Sequence, residues 1–177
     1  VRRQRQMCIR DRPIIANGEK VKYVHSIKQP NDTTLWVSTV GEGIVKVIFD
    51  ASTATPTVKS ASRTVIDNGR MASNYFFTSY QENDSILWFG NRGCGAYRMN
   101  VETGEMIPHR FDSIVSSQTA NDIFVIYKNA KGYWLGTSSG LLYLEQDDSL
   151  YTKADLFVNN TVHGVCLLYT SDAADEL

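Results

Sequence analysis

Apolar residues along the chain fall in short alternating runs broken by polar turns, and the runs recur. VKYVHSI from Val21, NYFFTSYQ from Asn74 and DIFVIYK from Asp122 are each followed by a polar stretch, KQPNDTT, ENDS or NAKG. Next comes a tryptophan-bearing run: LWVSTVGEGIVKVIFD from Leu35, LWFGNRGCGAYRMNVETGE from Leu87 and YWLGTSSGLLYLEQDD from Tyr133. β-Branched and aromatic side chains suit a pleated, half-buried surface, while Asn, Asp and Gly satisfy turns, so each pair of runs predicts an antiparallel hairpin. A third strand follows a Gly-containing turn (IVKVIFD, AYRMNV or LLYLEQD). The weaker fourth (TPTVKSA, GEMIPHRF or DSLYTKA) has the character of an outer strand with one face in water.

Trp36, Trp88 and Trp134 lie 52 and then 46 residues apart, a period that suits a four-stranded propeller blade. The pattern restarts at NNTVHGV from Asn159. The expected fold is therefore all-β: a fragment of a β-propeller with about three four-stranded antiparallel blades, roughly 21–66, 67–116 and 117–157. The inner strand of a further blade is expected over 158–165.

Composition agrees with one globular domain. The 177 residues are 42% apolar and 21% charged, with 12 Gly and only 4 Pro, which excludes collagenous, coiled-coil and disordered chains. No apolar run approaches the roughly 20 residues of a membrane-spanning helix.

The two ends change the charge picture. The opening VRRQRQMCIRDR reads at first as a basic arm for nucleic acid or targeting. Back-translated as CGT CGG CAG CGT CAG ATG TGT ATA AGA GAC, with Arg12 beginning AG, Arg2 to Arg12 give a reverse complement that in one frame spells CLLYTSDAAD, which stands at Cys166 to Asp175. That DNA resembles the adapter of a transposase-based sequencing library, so residues 1–12 and 166–177 are expected to be translated adapter and 13–165 the natural segment. Without Arg2, Arg3, Arg5, Arg10 and Arg12, and without Asp11, Asp172, Asp175 and Glu176, 13 basic and 15 acidic residues remain. The basic patch vanishes, and with it any expectation of nucleic-acid binding. Cys8 and Cys166 go as well, leaving Cys94 alone, so no disulfide or cysteine-based metal site is expected.

The block ND-x-I, a turn with Gly or Asp, and LW-x-GT-x-x-G-L is similar to the two-component regulator propeller repeat. Asn121, Asp122, Ile123, Gly132, Trp134, Gly136, Thr137, Gly140 and Leu141 match it most closely, while Ser38 replaces the Gly of LW-x-GT and Asn91 its Thr. The resemblance covers nearly all of 13–165. It implies the periplasmic sensor region of a hybrid histidine kinase of Bacteroidetes, an inner-membrane protein whose propellers recognise oligosaccharides and drive a dimer across the membrane.

Several motifs admit sharper chemistry. GTSSG, Gly136 to Gly140, fits the G-x-S-x-G nucleophile elbow, but an elbow needs a helix after the turn and LLYLEQD is a strand. GNRGCG lacks the glycine order of a dinucleotide loop and also leads into a strand. His25, His109 and His163 have no metal-ligand spacing. Asp32, Asp84 and Asp122 provide one carboxylate per turn, too few for calcium, and are expected to form Asx turns. The repeated Trp is expected to anchor packing between blades rather than to stack on a sugar.

Because strands alternate in direction, the loops before each inner strand and after each Trp strand emerge on one face. Glu42, Arg70, Asn74, Asn91, Arg92, Ser138, Ser139, Asn159 and Asn160 lie there and are the candidate ligand-binding residues, of a kind that pairs with sugar hydroxyls. No catalytic residue, metal or cofactor is expected, and the segment itself is expected to touch neither nucleic acid nor membrane. The expected partners are an oligosaccharide, the remaining blades of the same chain and a second copy in a homodimer. Two rivals stand beside the sensor reading. One is the propeller of a cytoplasmic transcriptional regulator or interaction scaffold; the other is a propeller lyase or hydrolase.

Overall fold

The computed structural model describes residues 13–50, 52, 57–66, 74–111, 121–130, 132–147, 150–156 and 162–163. The expected adapter segments 1–12 and 166–177 and the candidates Arg70, Asn159 and Asn160 lie outside the described residues.

A short hairpin, β1 (Ile15–Ala16) and β2 (Glu19–Lys20), precedes three four-stranded antiparallel sheets. The first holds β3 (Val24–Asn31), β4 (Thr34–Thr39), β5 (Ile44–Asp50) and β6 (Thr57–Thr64). The second holds β7 (Phe76–Asn83), β8 (Ile86–Asn91), β9 (Ala96–Asn100) and β10 (Met106–His109). The third holds β11 (Ile123–Lys128), β12 (Gly132–Thr137), β13 (Gly140–Asp147) and β14 (Leu150–Leu156). Each sheet is a plain meander in chain order, the topology of a propeller blade. Each tryptophan sits on the second strand of its sheet at a matching register. Trp36 pairs with Lys28 and Lys46, Trp88 with Tyr80 and Arg98, and Trp134 with Tyr127 and Tyr143.

Side-chain alternation along these second and third strands divides each blade into two buried faces. Trp36 and Ile44 point forward into a cluster with Phe76, Leu87, Phe89, Tyr97 and Met99 of the second blade. Trp88 and Ala96 likewise join Ile123, Ile126, Tyr133, Leu135, Leu142 and Leu144 of the third. The rings meet edge to face, Trp36 to Phe89 at 6.2 Å, or tilted, Trp88 to Tyr133 at 5.2 Å. The tryptophan is thus the anchor between a blade and its successor, as expected. Trp134 is half-buried and packs on Tyr143 at 4.6 Å.

Close approach explains the glycine of LW-x-G. A Cβ at Gly90 would lie 2.6 Å from the carbonyl oxygen of Ile123, and one at Gly136 would lie 2.5 Å from that of Val162. The inner strand β11 therefore runs directly beneath Gly90, and Val162 lies beneath Gly136 in the same way. In the first blade Ser38 occupies this position, fully buried, and its hydroxyl has no hydrogen-bond partner among the described residues. His25, Phe77 and Phe124 on the three inner strands, followed by His163, form a continuous file of rings, with centroids 5.4, 4.9 and 4.5 Å apart in turn.

Two features depart from the expectations. The β1–β2 hairpin turns on Asn17 (φ 53°) and Gly18 (φ 83°), a pair suited to a two-residue turn. It packs Ala16 on Val37, Val45 and Val47, covering the rear face of the first blade. Asn-Gly between apolar residues in IIANGEKV carries that signal. The hairpin turns are also capped differently: the backbone N–H of Thr33 donates to Asn31 Oδ1 (3.1 Å) and that of Ser85 to Asn83 Oδ1 (2.9 Å). The Asx residues are therefore Asn31 and Asn83. Asp32 and Asp84 are exposed one position later, and Asp122 leads into an inner strand.

Candidate functional site

At one end of the blades, the turn after each Trp strand meets the residues that lead into the next inner strand. The carbonyl oxygen of Asn74 accepts hydrogen bonds from the backbone N–H of Gly41 (3.0 Å) and Gly43 (3.2 Å), and that of Asn121 accepts from Gly95 (2.9 Å). At the third junction the N–H of Val162 donates to the carbonyl oxygen of Thr137 (2.9 Å). The asparagine side chains grip the chain leaving the outer strand. Asn74 bonds both backbone groups of Ile66 (2.7 and 3.1 Å), and Asn121 Oδ1 accepts from Phe111 N–H (2.9 Å). Gly43 and Gly95 complete the clip at φ +80° and +81°, each so near an outer-strand carbonyl that a Cβ would come within 2.2 and 2.1 Å of it.

These clips fix the face on which the candidate residues lie. Glu42 is spoken for: its Oε2 accepts from Arg63 Nη2 (3.1 Å) and from Lys22 N–H (3.2 Å), and its side chain is only 20% exposed. Asn74 works as a clip, and Asn91 is fully buried with its N–H bonded to the Gly95 carbonyl (2.9 Å). Ser139 contributes its N–H to Thr137 Oγ1 (3.0 Å), closing the β12–β13 turn. That turn joins two strands, so Ser138 is not on a nucleophile elbow; its hydroxyl donates to Asp122 Oδ2 (2.9 Å).

Arg92 is different. It is exposed, its N–H donates to the Tyr75 carbonyl (3.0 Å), and its guanidinium lies 5.9 Å from the Tyr75 ring centroid. Tyr75 in turn faces Gly41, whose ideal Cβ would stand 3.8 Å from the ring. Beside Arg92, the exposed Arg110 donates to the Gly93 carbonyl (3.3 Å), and a Cβ at Gly93 would stand 3.9 Å from Asp122 Oδ1. Arg92, Arg110, Tyr75, Asp122 and Ser138 therefore line the clip face from the first junction to the turn of the third blade. Three of these five are not among the residues that the sequence singles out for ligand binding. Tyr75 and Asp122 directly precede an inner strand, a position whose importance shows only when neighbouring blades are placed. Arg110 reaches the face from beyond the end of an outer strand.

The opposite end of the second junction holds a charged knot. Glu82 Oε2 accepts from Trp88 Nε1 (2.7 Å) and lies 3.5 Å from Arg98 Nε, while Oε1 pairs with Lys128 Nζ at 3.1 Å. Burial opposes the charge of Glu82, but hydrogen bonds from Trp88 and Lys128 and the lysine charge outweigh it and hold the carboxyl below the ordinary range. Tyr133 is pushed far up by burial and by Glu82, and His109 is pushed down by burial and by Arg98. Glu82, Trp88, Arg98 and Lys128 partner one another across the blade boundary, which makes the knot a seam rather than an open site. In the first blade Pro30 stands where Glu82 does in the second, and the buried Trp36 Nε1 has no acceptor among the described residues. Among the described residues, no three His, Cys, Asp or Glu converge as metal ligands, and no helix is long and apolar enough to cross a membrane.

Over 169 residues the chain is 33% identical to Histidine kinase P4 of Formosa agariphila, which takes in 89% of this chain and 12% of the length of that protein. It resembles a segment of a histidine kinase. The resemblance read from the ND-x-I and LW-x-GT repeats thus recurs in the comparison of whole sequences. No family model matches the chain. Among solved structures it is similar to extracellular domains from B. thetaiotaomicron. For that of the hybrid two component system BT3049, the TM-score is 0.48 and the identity 21%, covering 70% of this chain and 17% of that one. For that of the one component system BT4673, the TM-score is 0.48 and the identity 13%, covering 84% and 25%.

Proposed function

We propose that this chain is part of the extracytoplasmic sensing region of a two-component histidine kinase, and that it contributes to recognising an oligosaccharide on the face bearing the clips. The observation that carries this reading is the clustering of Tyr75, Arg92, Asp122 and Ser138 on a face held rigid by the Asn-Gly clips. Such a set offers a ring, donors and a carboxylate acceptor, as binding of a polyhydroxylated ligand requires. Similarity to a histidine kinase supports signalling as the output. In this reading the segment does no catalysis itself, further blades complete the ring, and dimerisation of the whole protein carries the signal inward.

Glycan-panel binding by the entire extracytoplasmic region, with and without Asp122→Ala, tests this. The expected result is binding of an oligosaccharide that weakens at least about tenfold in the variant, the order expected for loss of a charge-assisted hydrogen bond. A folded region that binds no oligosaccharide, or whose binding ignores Asp122, would overturn it.

A further inference from the structure

Among the described residues, the charged groups on the clip face are not equally partnered. Glu42 is consumed by Arg63, which also pairs with Glu19 at 3.1 Å. Asp122 is engaged by Ser138. Arg92 has no carboxylate partner among the described residues. Its backbone is bonded to Tyr75, and its guanidinium lies over the ring of the same residue, which rests against Gly41. A guanidinium laid on an aromatic ring keeps its in-plane N–H donors directed outward. Those donors have the fork geometry that matches a carboxylate or a sulfate. Arg110 lies beside it, donating to the neighbouring Gly93 carbonyl.

We infer that the ligand of this face is an anionic saccharide, its carboxylate or sulfate ester taken by Arg92 over Tyr75 while Asp122 and Ser138 engage hydroxyls of an adjoining residue. The inference rests on the oligosaccharide reading and narrows it to a class. Arg92 is exposed, and its guanidinium faces the Tyr75 ring rather than a carboxylate of the described residues.

The test uses matched ligands on the entire extracytoplasmic region. Oligogalacturonates are compared with their fully methyl-esterified, neutral forms, and sulfated galactan oligosaccharides with desulfated ones, by calorimetry at low and high salt. The acidic member of at least one pair is expected to bind about ten- to a hundredfold more tightly, the range for charge-assisted hydrogen bonds, and to lose that advantage as salt rises. Arg92→Gln should remove the difference within the pair by weakening the acidic member about ten- to a hundredfold, far more than the neutral one, and Arg92→Lys should restore only part of it. Whichever pair responds tells carboxylate from sulfate.

Equal binding of acidic and neutral members, or a preference that survives Arg92→Gln, would overturn the inference and leave the oligosaccharide reading standing. Absence of binding to every member of both pairs would overturn the inference, and the wider glycan panel would then show whether the oligosaccharide reading falls with it. If the variants fold poorly, the salt dependence of the unmodified protein still decides: an acidic preference unaffected by salt would count against Arg92 as its source.

Discussion

Gly95 shows how much a single residue carries. Its φ of +81° alone disfavours a side chain, and a Cβ there would sit 2.1 Å from the His109 carbonyl oxygen. Left-handed strain and overpacking together set the expected cost of Gly95→Ala at about 2–5 kcal/mol. Gly104, at φ +75° with open space around it, isolates the first of these effects, and Gly104→Ala is expected to cost only about 1–2 kcal/mol. Urea midpoints of the two variants in one background check the contrast; equal shifts would mean that the close approach at Gly95 is relieved without penalty. Asn121→Ala removes the acceptor for the buried N–H of Phe111 and is expected to cost about 1–3 kcal/mol. Faster amide exchange at Phe111 is the local sign to look for. The sequence shows Asn121 plainly, as the first letter of ND-x-I, but not its work. That depends on backbone groups of Gly95 and Phe111, which meet it only after two blades have formed.

Among the strands, the alternating runs and the tryptophan period are enough to place all three meanders, because each strand pairs with its sequence neighbour. The β1–β2 hairpin is invisible to that period because it is two short strands outside the repeat, even though Asn17-Gly18 announces its turn. The Glu82 knot is not legible either, since Glu82, Arg98 and Lys128 belong to three different strands of two blades. It gives the junction a pH dependence of definite sign. His109 is held below the ordinary histidine value of about 6.5, so its contribution to stability is full above that pH and is lost as pH falls below it. Glu82, also depressed, contributes fully above about 4.3 and loses that contribution as pH falls through its lower folded-state value. Denaturation midpoints across pH should therefore decline in two stages on acidification. Glu82→Gln should lower stability at neutral pH and flatten the lower stage; an unchanged slope below about pH 4.3 would show that the knot does not titrate as described.

For the molecule as a whole, stability depends on every blade having two neighbours. Val24 and Ile27 on the first inner strand remain 50% and 57% exposed, and Trp134 is only half-buried where Trp36 and Trp88 are covered. Each large apolar side chain left in water forgoes about 1.5–3 kcal/mol, against a typical reserve of about 5–15 kcal/mol. Residues 13–165 produced alone are therefore expected to melt broadly or aggregate; a monomer with one steep calorimetric transition would contradict this. The clips have a consequence of another kind. Each needs only a glycine turn from one blade and an asparagine-led entry from the next, so the joint is generic. A gene encoding such blades can duplicate, lose or exchange one by recombination within a repeat, and the new neighbours will still fit. Descendants can therefore vary ring size and renew the residues between clips at little structural risk, which opens a route to new ligand preferences without reinvention of the scaffold.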